Sequence, residues 1–516
     1  MTAAIVVGAG TAGAVVARRL HDAGVAVTLL EAGGEDANPA IHDPMRMGEL
    51  WHSEDDWDYY TVPQEHADGR RLHLPRGKVL GGSHALNAMI WVRGAPQDFD
   101  HWASLGNTGW AWKDVLPVYR SIESFSGGAS ELRGIDGPLP VTVDYPLSPI
   151  HASIVRAAVQ EGLAHNPDYN GERLDGISQQ QVTMRTTMSA SEAPVVRGRR
   201  ASTWTEYLEP VREHLDIRTG CHVHSVIVED GRAVGVRYRQ AGEDRELRAD
   251  IVVLSAGALD SPAVLLRSGI GPADELAELG IPVVHDAPGV GRNLHDHLLA
   301  PVIFRTERKP VGKPTPGVSI TQTHLFWRSL PDLEVPDTQP IHFSVPMYGE
   351  NLEPVGDDGF SLMAGIVTPK SRGTLRLSGA RLDDPLLIDL GALADADDVR
   401  SLVASVRQCR AIGRRPALVE EWGAVEVYPG AEIDDDELDA YVRRTVATYH
   451  HQVGTCRMGV DAEAVVDPRL RVDGIDGLRV IDASIMPRVT TGNTNAPAVL
   501  IGELGARFLL EDLRVR

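Results

Sequence analysis

The sequence predicts an α/β protein in which a Rossmann-like dinucleotide-binding domain carries a smaller α+β domain built on an antiparallel sheet. Residues 4–31 predict a strand, a glycine-rich turn, a helix and a second strand, in that order. Apolar strands return late in the chain, as IVVLSAG at 251–257 and LRVID at 478–482. Between residues 300 and 450, the second sheet is indicated by one long helix near 397–414 and by the short apolar strands HFSVPMY, FSLMAGIV and GTLRLS.

The turn after the first strand reads GAGTAG over residues 8–13, which is the spacing of a dinucleotide-binding loop. Gly8 permits the tight turn, and Gly10 lets a diphosphate approach the backbone. Gly13 lets the following helix pack closely on the strand. We therefore predict that this turn binds the diphosphate of a dinucleotide.

Two further features support this prediction. The helix begins at Thr11 and Ala12, and a helix N-terminus offers amide groups and partial positive charge to phosphates. Glu31 ends the second strand, 18 residues after Gly13, where a carboxylate accepts hydrogen bonds from an adenosine ribose.

The remaining segments carry weaker patterns. Residues 38–150 are rich in Trp, Pro, Gly and His, which predicts long and mostly irregular connections packed on the nucleotide-binding domain. Residues 215–255 predict several strands separated by turns. The basic run RGRR at 197–200 is interpreted as a solvated polar loop. The last helix is predicted over 496–513, with Asn495 as its N-cap.

Composition excludes several classes of protein. The 516 residues include 43% hydrophobic and 24% charged residues, which is typical of a globular protein. A formal net charge of −22 argues against nonspecific binding to nucleic acid or anionic membranes. The three cysteines lie far apart and form no CxxC motif. The sequence shows no signal peptide and no apolar stretch long enough to span a bilayer, so we expect a soluble, cytoplasmic protein.

The late strands favour FAD over NAD as the dinucleotide. Asp482 ends one of them, where it could accept hydrogen bonds from a ribityl chain. The helix that begins after Asn495 could direct its N-terminus at the flavin N1/C2=O region and stabilise the negative charge of reduced flavin. Ordinary capping chemistry would explain the same residues, so at this point an NAD(P)-dependent reductase stays open.

Four segments together resemble the glucose–methanol–choline (GMC) oxidoreductase family over nearly the whole chain. They are VVGAGTAG (6–13) with Glu31, GKVLGGSHALNAMIWVRG (77–94), GALDSPAVLLRSGIG (257–271), and the C-terminal pair HHQVGTCRMG (450–459) and IDASIMPRVTTGNTNAPAVLIGE (481–503). The resemblance implies an FAD cofactor and oxidation of an alcohol through hydride transfer to flavin N5. The alcohol that the resemblance implies is a primary one.

The resemblance also implies the catalytic residues. The histidine of the H-x-x-G-T segment acts as general base in the family, and that position is His451 here. The second catalytic residue falls on Asn493 in the GNTNAP segment. A neutral histidine can take the hydroxyl proton while carbon delivers hydride, and an asparagine can donate to the developing alkoxide.

The cofactor contacts that the resemblance implies rest on less specific motifs. Val223 matches the place where a backbone amide and carbonyl meet the adenine, and Trp57 matches a position close to the cofactor. The resemblance implies further contacts near the flavin and its ribityl chain from Gly82, Asn87, Ala88, Asp482, Ala483 and Asn495.

Several residues depart from the family pattern. His84 stands where the family has a small residue, but the flavin-linked histidine of some choline-oxidising members falls on Leu86, so we expect no covalent linkage. His450 and Tyr449 precede the base and should line the substrate pocket, which His450 makes more polar. The spacings of His222 with His224 and of His295 with His297 lack a third ligand, so we predict no metal.

Three regions are expected along the chain. Residues 1–300 should form mostly the FAD-binding domain, with an excursion into the substrate domain at about 150–200. Residues 301–450 should form the substrate-binding domain, and residues 451–516 should return to the FAD domain with the catalytic pair.

The leading hypothesis is an FAD-dependent alcohol dehydrogenase or oxidase that passes electrons to a quinone, a dye or oxygen. A hydroxynitrile lyase on the same fold and a flavin-binding module without catalysis are the alternatives. A large phenol at Tyr449 favours a quinone or dye over oxygen, because it would fill the space beside the flavin. The particular alcohol stays open, since no motif falls within residues 300–450.

Overall fold

The computed structural model describes residues 2–188, 196–314, 317–356 and 358–515. Its first sheet has five parallel strands, in the spatial order Asp216–Arg218, Ala26–Leu30, Ala3–Val7, Ile251–Leu254 and Leu478–Val480. The strands are mostly apolar because a parallel sheet is covered on both faces. The α/β fold and its late strand returns are therefore confirmed.

Two helices cover one face of this sheet. The helix Thr11–Asp22 follows the glycine turn and packs along the final helix, Asn495–Val515. Arg19 and Glu503 join them in an ion pair, with Nη2 and Oε1 2.8 Å apart. This packing brings the N-terminal ends of both helices to the carboxyl edge of the parallel strands, where ligands bind in open α/β sheets.

Further elements extend the nucleotide-binding part. An antiparallel sheet of three strands is inserted in the chain between the strands Asp216–Arg218 and Ile251–Leu254 of the first sheet. Short helices and a further strand pair follow. These elements are the strands Cys221–Glu229, Arg232–Gln240 and Glu243–Arg248, the helices Gly257–Arg267 and Ala273–Glu278, and the strand pair Ile270–Gly271 with His285–Asp286.

The second large sheet has eight strands. Its main path runs in the order Ala424–Tyr428, Ile303–Thr306, Gly359–Ile366, Ile341–Phe343, Thr321–Phe326 and Gly176–Gln179, and Leu298–Ala300 and Ala447–Thr448 pair beside it. The helices of this part are Pro149–Gln160, Ala396–Gly413, Pro416–Trp422 and Leu438–Thr445. The predicted domain boundaries stay a prediction.

The connections of residues 38–150 contain more helix than predicted. The helices Pro96–Ser104 and Trp112–Ile122 were missed, the second because Pro117 interrupts its amphipathic pattern. The short elements here are Pro39–His42, Pro44–Glu49, Ser83–Leu86, Tyr59–Tyr60 paired with His73–Leu74, and Glu123–Phe125 paired with Leu139–Val141.

Three other local predictions were wrong. The run 197–200 is part of the strand Val196–Arg200, which pairs with Met184–Met188, and the Arg200 guanidinium is buried against backbone carbonyls. The GTLRLS strand (Thr374–Leu377) forms a separate hairpin with Leu386–Asp389.

The third concerns the late strand predicted over 478–482, which ends at Val480. Asp482 accepts a hydrogen bond from the Ser484 amide and caps the 3-10 turn Ala483–Ile485.

Two further short helical segments are Trp204–Leu208 and Glu209–His214. Within the described residues, no helix is both long and apolar enough to cross a membrane.

Candidate active site

A cavity of about 620 Å³ extends from the glycine turn to His451, between the parallel sheet and the eight-stranded sheet. Almost all of the predicted site residues line it. They are Gly8, Gly10, Thr11, Ala12, Glu31, Trp57, Gly82, Asn87, Ala88, Val223, Tyr449, His450, His451, Asp482, Ala483, Asn493 and Asn495. Gly13 does not line the cavity, and its contribution is to the packing of the turn.

The glycine turn is closely packed on one side and open on the other. Gly8 has a φ of +98°, and a Cβ there would lie 2.5 Å from the Ser255 carbonyl oxygen. A Cβ at Gly13 would lie 2.0 Å from the Gly8 oxygen, so only glycine lets the helix pack on the turn. A Cβ at Gly10 would meet only Gly82, at 3.8 Å. The open side of the turn therefore fits a diphosphate.

Glu31 lies at the end of its strand with both oxygens engaged by backbone. Oε2 accepts a hydrogen bond from the Ala9 amide and Oε1 accepts one from the Gly33 amide, each at 2.8 Å. Burial raises the pKa of Glu31 to about 7, and the two amides oppose that rise. Each carboxylate oxygen keeps a lone pair for a ligand hydroxyl, so the residue fits a ribose.

The side chain of Asn495 does not cap the final helix, in contrast to the prediction. Its Oδ1 accepts a hydrogen bond from Thr11 Oγ1 at 3.2 Å, and its Nδ2 lies 3.1 Å from His84 Nε2. His84 is buried, contacts Thr183 and Thr203, and does not line the cavity. These contacts tie the two N-terminal helix ends together beside the glycine turn.

The remaining cofactor candidates line the middle of the cavity. Asn87 Oδ1 accepts hydrogen bonds from the Met89 amide at 2.9 Å and from the buried Arg200. Trp57 lies half-buried beneath the Lys78 ammonium, which is 4.8 Å from its ring centroid. Val223 is buried at the start of the three-stranded sheet. Their contacts with the cofactor stay predictions.

Asp482 holds two segments of the wall together. Its Oδ2 accepts hydrogen bonds from the Gly257 amide at 2.9 Å and from Ser261, and its Oδ1 accepts from the Ser484 amide at 2.8 Å. Gly257 and Ser261 belong to the segment GALDSPAVLLRSGIG (257–271), one of the four that resemble the family. The carboxylate thus joins that segment to the C-terminal one at the cavity wall.

The predicted catalytic pair meets at the far end of the cavity. Nε2 of His451 lies 3.2 Å from Nδ2 of Asn493. The Asn493 Oδ1 accepts a hydrogen bond from Gln339 Nε2 at 2.9 Å, and this bond orients the amide. Nδ1 of His451 lies 2.9 Å from Nδ1 of His297. Burial lowers the pKa of His451 well below its usual value, so its imidazole is neutral at pH 7.

The backbone around the pair is held by two charged groups. The Asp296 carboxylate accepts hydrogen bonds from the His451 amide, at 2.7 Å, and from the Gln452 side chain. Arg76 donates to the carbonyl of His450, which has a φ of +66°. Burial raises the pKa of Asp296 to about 7. These bonds fix the His451 ring relative to the cavity.

An apolar chamber adjoins the catalytic pair. The ring of Tyr449 stacks on that of His451, with centroids 4.7 Å apart. The other buried apolar side chains that line this end are Ile90, Leu299, Ile341, Phe343 and Met363. His450 is buried beside Trp51, and burial lowers its pKa to about 3. The chamber suits the uncharged body of a small molecule whose polar end reaches His451 and Asn493.

Sequence reasoning did not assign three polar residues to this site, and it considered one of them, His297, only as a possible metal ligand with His295. Asp296 and His297 lie in the segment GVGRNLHDH, directly before the strand Leu298–Ala300. Gln339 precedes the strand Ile341–Phe343, in the region where no motif was found. The histidine and aspartate could have been singled out as polar residues in an apolar context. The glutamine carries no sequence signal.

A dinucleotide cradle at the carboxyl edge of a parallel sheet, joined to a histidine–asparagine pair beside an apolar chamber, defines an FAD-dependent oxidoreductase that acts on alcohols. The chain belongs to the GMC oxidoreductase family: family models described as GMC oxidoreductase match residues 2–299 and 369–502. FAD is its cofactor, and its residues along the cavity fit that group.

Curated relatives are similar over almost the whole chain. The chain is 37% identical to an alcohol dehydrogenase [acceptor] of Pseudomonas putida, over 99% of this chain and 96% of the relative. It is 35% identical to an oxygen-dependent choline dehydrogenase of Sinorhizobium fredii, over 98% of this chain and 95% of the relative.

Solved structures agree with this fold. Pyridoxine 4-oxidase from Mesorbium loti superposes with a TM-score of 0.91, at 34% identity over 99% of both chains. A formate oxidase from Aspergillus oryzae RIB40, studied for its FAD modification, superposes with a TM-score of 0.89 at 25% identity, over 100% of this chain and 99% of the other. The predictions of the family, fold, cofactor and enzyme class are confirmed.

Exchanging Glu31 for glutamine is expected to weaken FAD retention more than it changes flavin reduction. Glu31→Gln keeps the shape and removes a charged acceptor, and a charge-assisted hydrogen bond contributes about 1.5–3 kcal/mol. The dissociation constant for FAD should rise roughly 10-fold to 150-fold. Cofactor content after dialysis measures this, with exposed Glu35→Gln as the control. Full retention with slower reduction by alcohol would contradict the assignment.

Proposed function

We propose that the protein oxidises a primary alcohol with an uncharged, apolar body to an aldehyde, with His451 as general base and Asn493 as hydrogen-bond donor. The observation that carries this proposal is the 3.2 Å contact between Nε2 of His451 and Nδ2 of Asn493 at the cavity wall. Bound FAD supplies the hydride acceptor, its N5 atom.

The hydrogen bonds around Asn493 assign the tautomer of His451. Gln339 donates to Oδ1 of Asn493, so the amide directs its NH2 group at Nε2 of His451. An amide NH2 group only donates, and Nε2 must therefore carry the lone pair. The imidazole proton then lies on Nδ1 and is donated to Nδ1 of His297. A lone pair on Nε2, facing the cavity, is what a general base requires.

The reaction uses this arrangement in one concerted step at the substrate. The alcohol oxygen lies between His451 and Asn493, and its proton passes to Nε2 of His451. The amide of Asn493 donates a hydrogen bond to the oxygen as negative charge develops on it. The hydrogen on the alcohol carbon leaves with its bonding electrons as hydride, which bound FAD would accept, so the substrate becomes an aldehyde and His451 holds the proton.

The chamber sets the substrate class. The side chains that present apolar atoms beside His451 are Leu299, Ile341, Phe343 and Met363. The Glu350 carboxylate also lines the cavity, but at its rim, 4.0 Å from Nε2 of His52. An uncharged alcohol therefore enters without losing the hydration of a charge. Choline and its carbon analogue 3,3-dimethylbutan-1-ol have the same shape and differ in that charge.

Anaerobic mixing of the yellow holoenzyme with a panel of alcohols tests the proposal. Primary alcohols with apolar bodies should bleach the flavin, and 3,3-dimethylbutan-1-ol should reduce it faster than choline. Faster reduction by choline would overturn the substrate class. A holoenzyme that no alcohol reduces, but that releases cyanide from a hydroxynitrile, would overturn oxidation itself in favour of a lyase.

Reduced enzyme is expected to be reoxidised faster by a quinone than by oxygen at its level in air. Tyr449 fills the space beside His451, and neither His450 nor His451 carries a positive charge at pH 7 to stabilise superoxide. Tyr449→Ala should accelerate the oxygen reaction, and Tyr449→Phe, which keeps the ring, should leave it unchanged. Rapid mixing measures both rates. An oxygen reaction that outpaces substrate reduction in the wild type would contradict this expectation.

A further inference from the structure

Three metal-ligand side chains meet at the rim of the cavity, apart from the catalytic pair. His52 Nδ1 lies 2.7 Å from Asp58 Oδ1, and His73 Nε2 lies 2.9 Å from the same oxygen. The three ligand atoms all lie within 4.8 Å of one another. Two imidazoles and a carboxylate are ligands of Zn²⁺ and neighbouring first-row metals. We propose that His52, Asp58 and His73 bind a divalent transition-metal ion of the zinc class.

The loop that carries two of these ligands is held in an unusual conformation. His52 and Asp58 both have positive φ values, +59° and +53°, a left-handed conformation that non-glycine residues rarely adopt. The buried Asp56 carboxylate fixes both, because it accepts hydrogen bonds from the amides of His52, Asp58 and Arg76 at 2.8–3.1 Å. The two side chains are thereby turned toward His73.

Hydrogen bonding alone does not satisfy His73. Its Nε2 atom is buried, and it has no partner with hydrogen-bond geometry in the part of the chain that the structure describes. Its ring stacks on that of His52, with centroids 4.0 Å apart. The Asp56 carboxylate lies 3.6 Å from the same nitrogen, as a second source of negative charge. A buried nitrogen that faces two carboxylates without a proper donor bond fits a metal ion between them.

The distances leave room for a metal after a small movement. Tetrahedral zinc bonds of about 2.0–2.1 Å place neighbouring ligand atoms about 3.3 Å apart. Asp58 must therefore retreat by about half an ångström from the two imidazoles, and the two stacked rings must tilt so that both nitrogens face the same point. Its side chain is 46% exposed and ends in solvent, so this movement displaces no packed neighbour. A water molecule can complete the coordination on the open side.

The site is placed to affect entry to the cavity. His52, His73 and Glu350 line the same cavity as the catalytic pair, and Glu350 lies 4.0 Å from Nε2 of His52. An ion would join the loop of His52 to the strand of His73, two segments that border the opening. We expect bound metal to stiffen this rim and to lower kcat/KM for the alcohol, with less effect on the rate of reduction at saturation.

Binding of Zn²⁺ to the FAD-loaded enzyme tests the site. The holoenzyme is treated with EDTA, desalted, and titrated with zinc sulfate by calorimetry, and bound zinc per chain is measured by elemental analysis. One saturable site is expected, and Mg²⁺ should not compete, because it prefers oxygen ligands. Absence of saturable zinc binding would overturn the proposal.

Variants connect the binding to these residues. His73→Gln, His52→Gln and Asp58→Asn should each weaken zinc binding by more than about 10-fold, since even outer-shell changes cost 10-fold to 100-fold in affinity. His165→Gln removes an exposed histidine elsewhere and should leave binding unchanged. The flavin absorbance reports whether each variant is folded. Wild-type affinity in the folded variants would refute the assignment of ligands.

Discussion

Replacing His451 with alanine is expected to slow flavin reduction by an alcohol about 10²-fold to 10⁴-fold, the usual contribution of a general base. The reason is geometric: the Nε2 lone pair of His451 faces the cavity beside Asn493, and its loss leaves the hydroxyl proton without an acceptor. FAD should stay bound, because the glycine turn and Glu31 lie at the other end of the cavity.

Stopped-flow reduction under anaerobic conditions measures this effect, and the FAD content of each sample controls for folding. The flavin of the exposed His101→Ala variant should be reduced at the wild-type rate. That result would show that the slow reduction comes from losing His451 and not from losing any histidine. His297→Phe should cause a smaller loss, since it removes the acceptor for Nδ1 of His451 but leaves Nε2 in place. Reduction of the His451→Ala enzyme at the wild-type rate would remove His451 from the mechanism.

Much of the nucleotide-binding part was predictable because backbone sterics dictate it. Gly8 and Gly13 occupy positions where a Cβ would lie 2.5 Å or less from a carbonyl oxygen, so local sequence specifies the turn. Glu31 follows at the spacing that one helix and one strand impose. The local sequence therefore specifies the geometry of the strand, turn and helix, and this unit predicts the fold class.

The proposed catalytic pair could be named only through the family resemblance. His451 and Asn493 are 42 residues apart, and their contact depends on the segment after the strand Ala447–Thr448 meeting the turn before the helix Asn495–Val515. Gln339 and His297 come from two further segments, 154 residues from their partners. No local pattern encodes such contacts, because they arise when the two sheets pack against each other.

Burial also reversed one interpretation. The run 197–200 contains three arginines and was interpreted as a solvated loop, yet Arg200 is buried. Its guanidinium donates to the carbonyl oxygens of Ile41, His84 and Asn87. Burial lowers the pKa of Arg200 to about 9. Charge in a sequence predicts exposure on average, but here Nε and Nη1 of a buried arginine find carbonyl acceptors inside the protein.

The exchange Asn493→Asp is expected to slow reduction at pH 7 by at least about 10²–10³-fold, the loss caused by removing one donor to a developing oxyanion. The new carboxylate would still accept the hydrogen bond from Gln339, so the site keeps its shape. Its other oxygen would face Nε2 of His451 and accept a hydrogen bond where the amide had donated one. A proton would then occupy Nε2, and the base would be lost.

The pH dependence distinguishes this loss from a merely structural one. In the wild type, burial lowers the pKa of His451, so reduction should stay constant as pH falls through 7 and decline only in more acidic solution. An opposite charge next to an imidazole favours its protonated form and raises its pKa. In Asn493→Asp the acid limb of the profile should therefore move upward by about 1–3 pH units, the size of shift that an adjacent opposite charge produces.

Asn493→Ala is the matched control, because it removes the same donor and adds no charge. Its reduction should be slow at every pH, with the acid limb at the wild-type position. Single-turnover reduction measured from pH 5 to 10 compares the three proteins, and FAD content confirms that each is loaded. An acid limb that does not move in Asn493→Asp would show that this side chain does not face Nε2 of His451, and the assigned tautomer would fail with it.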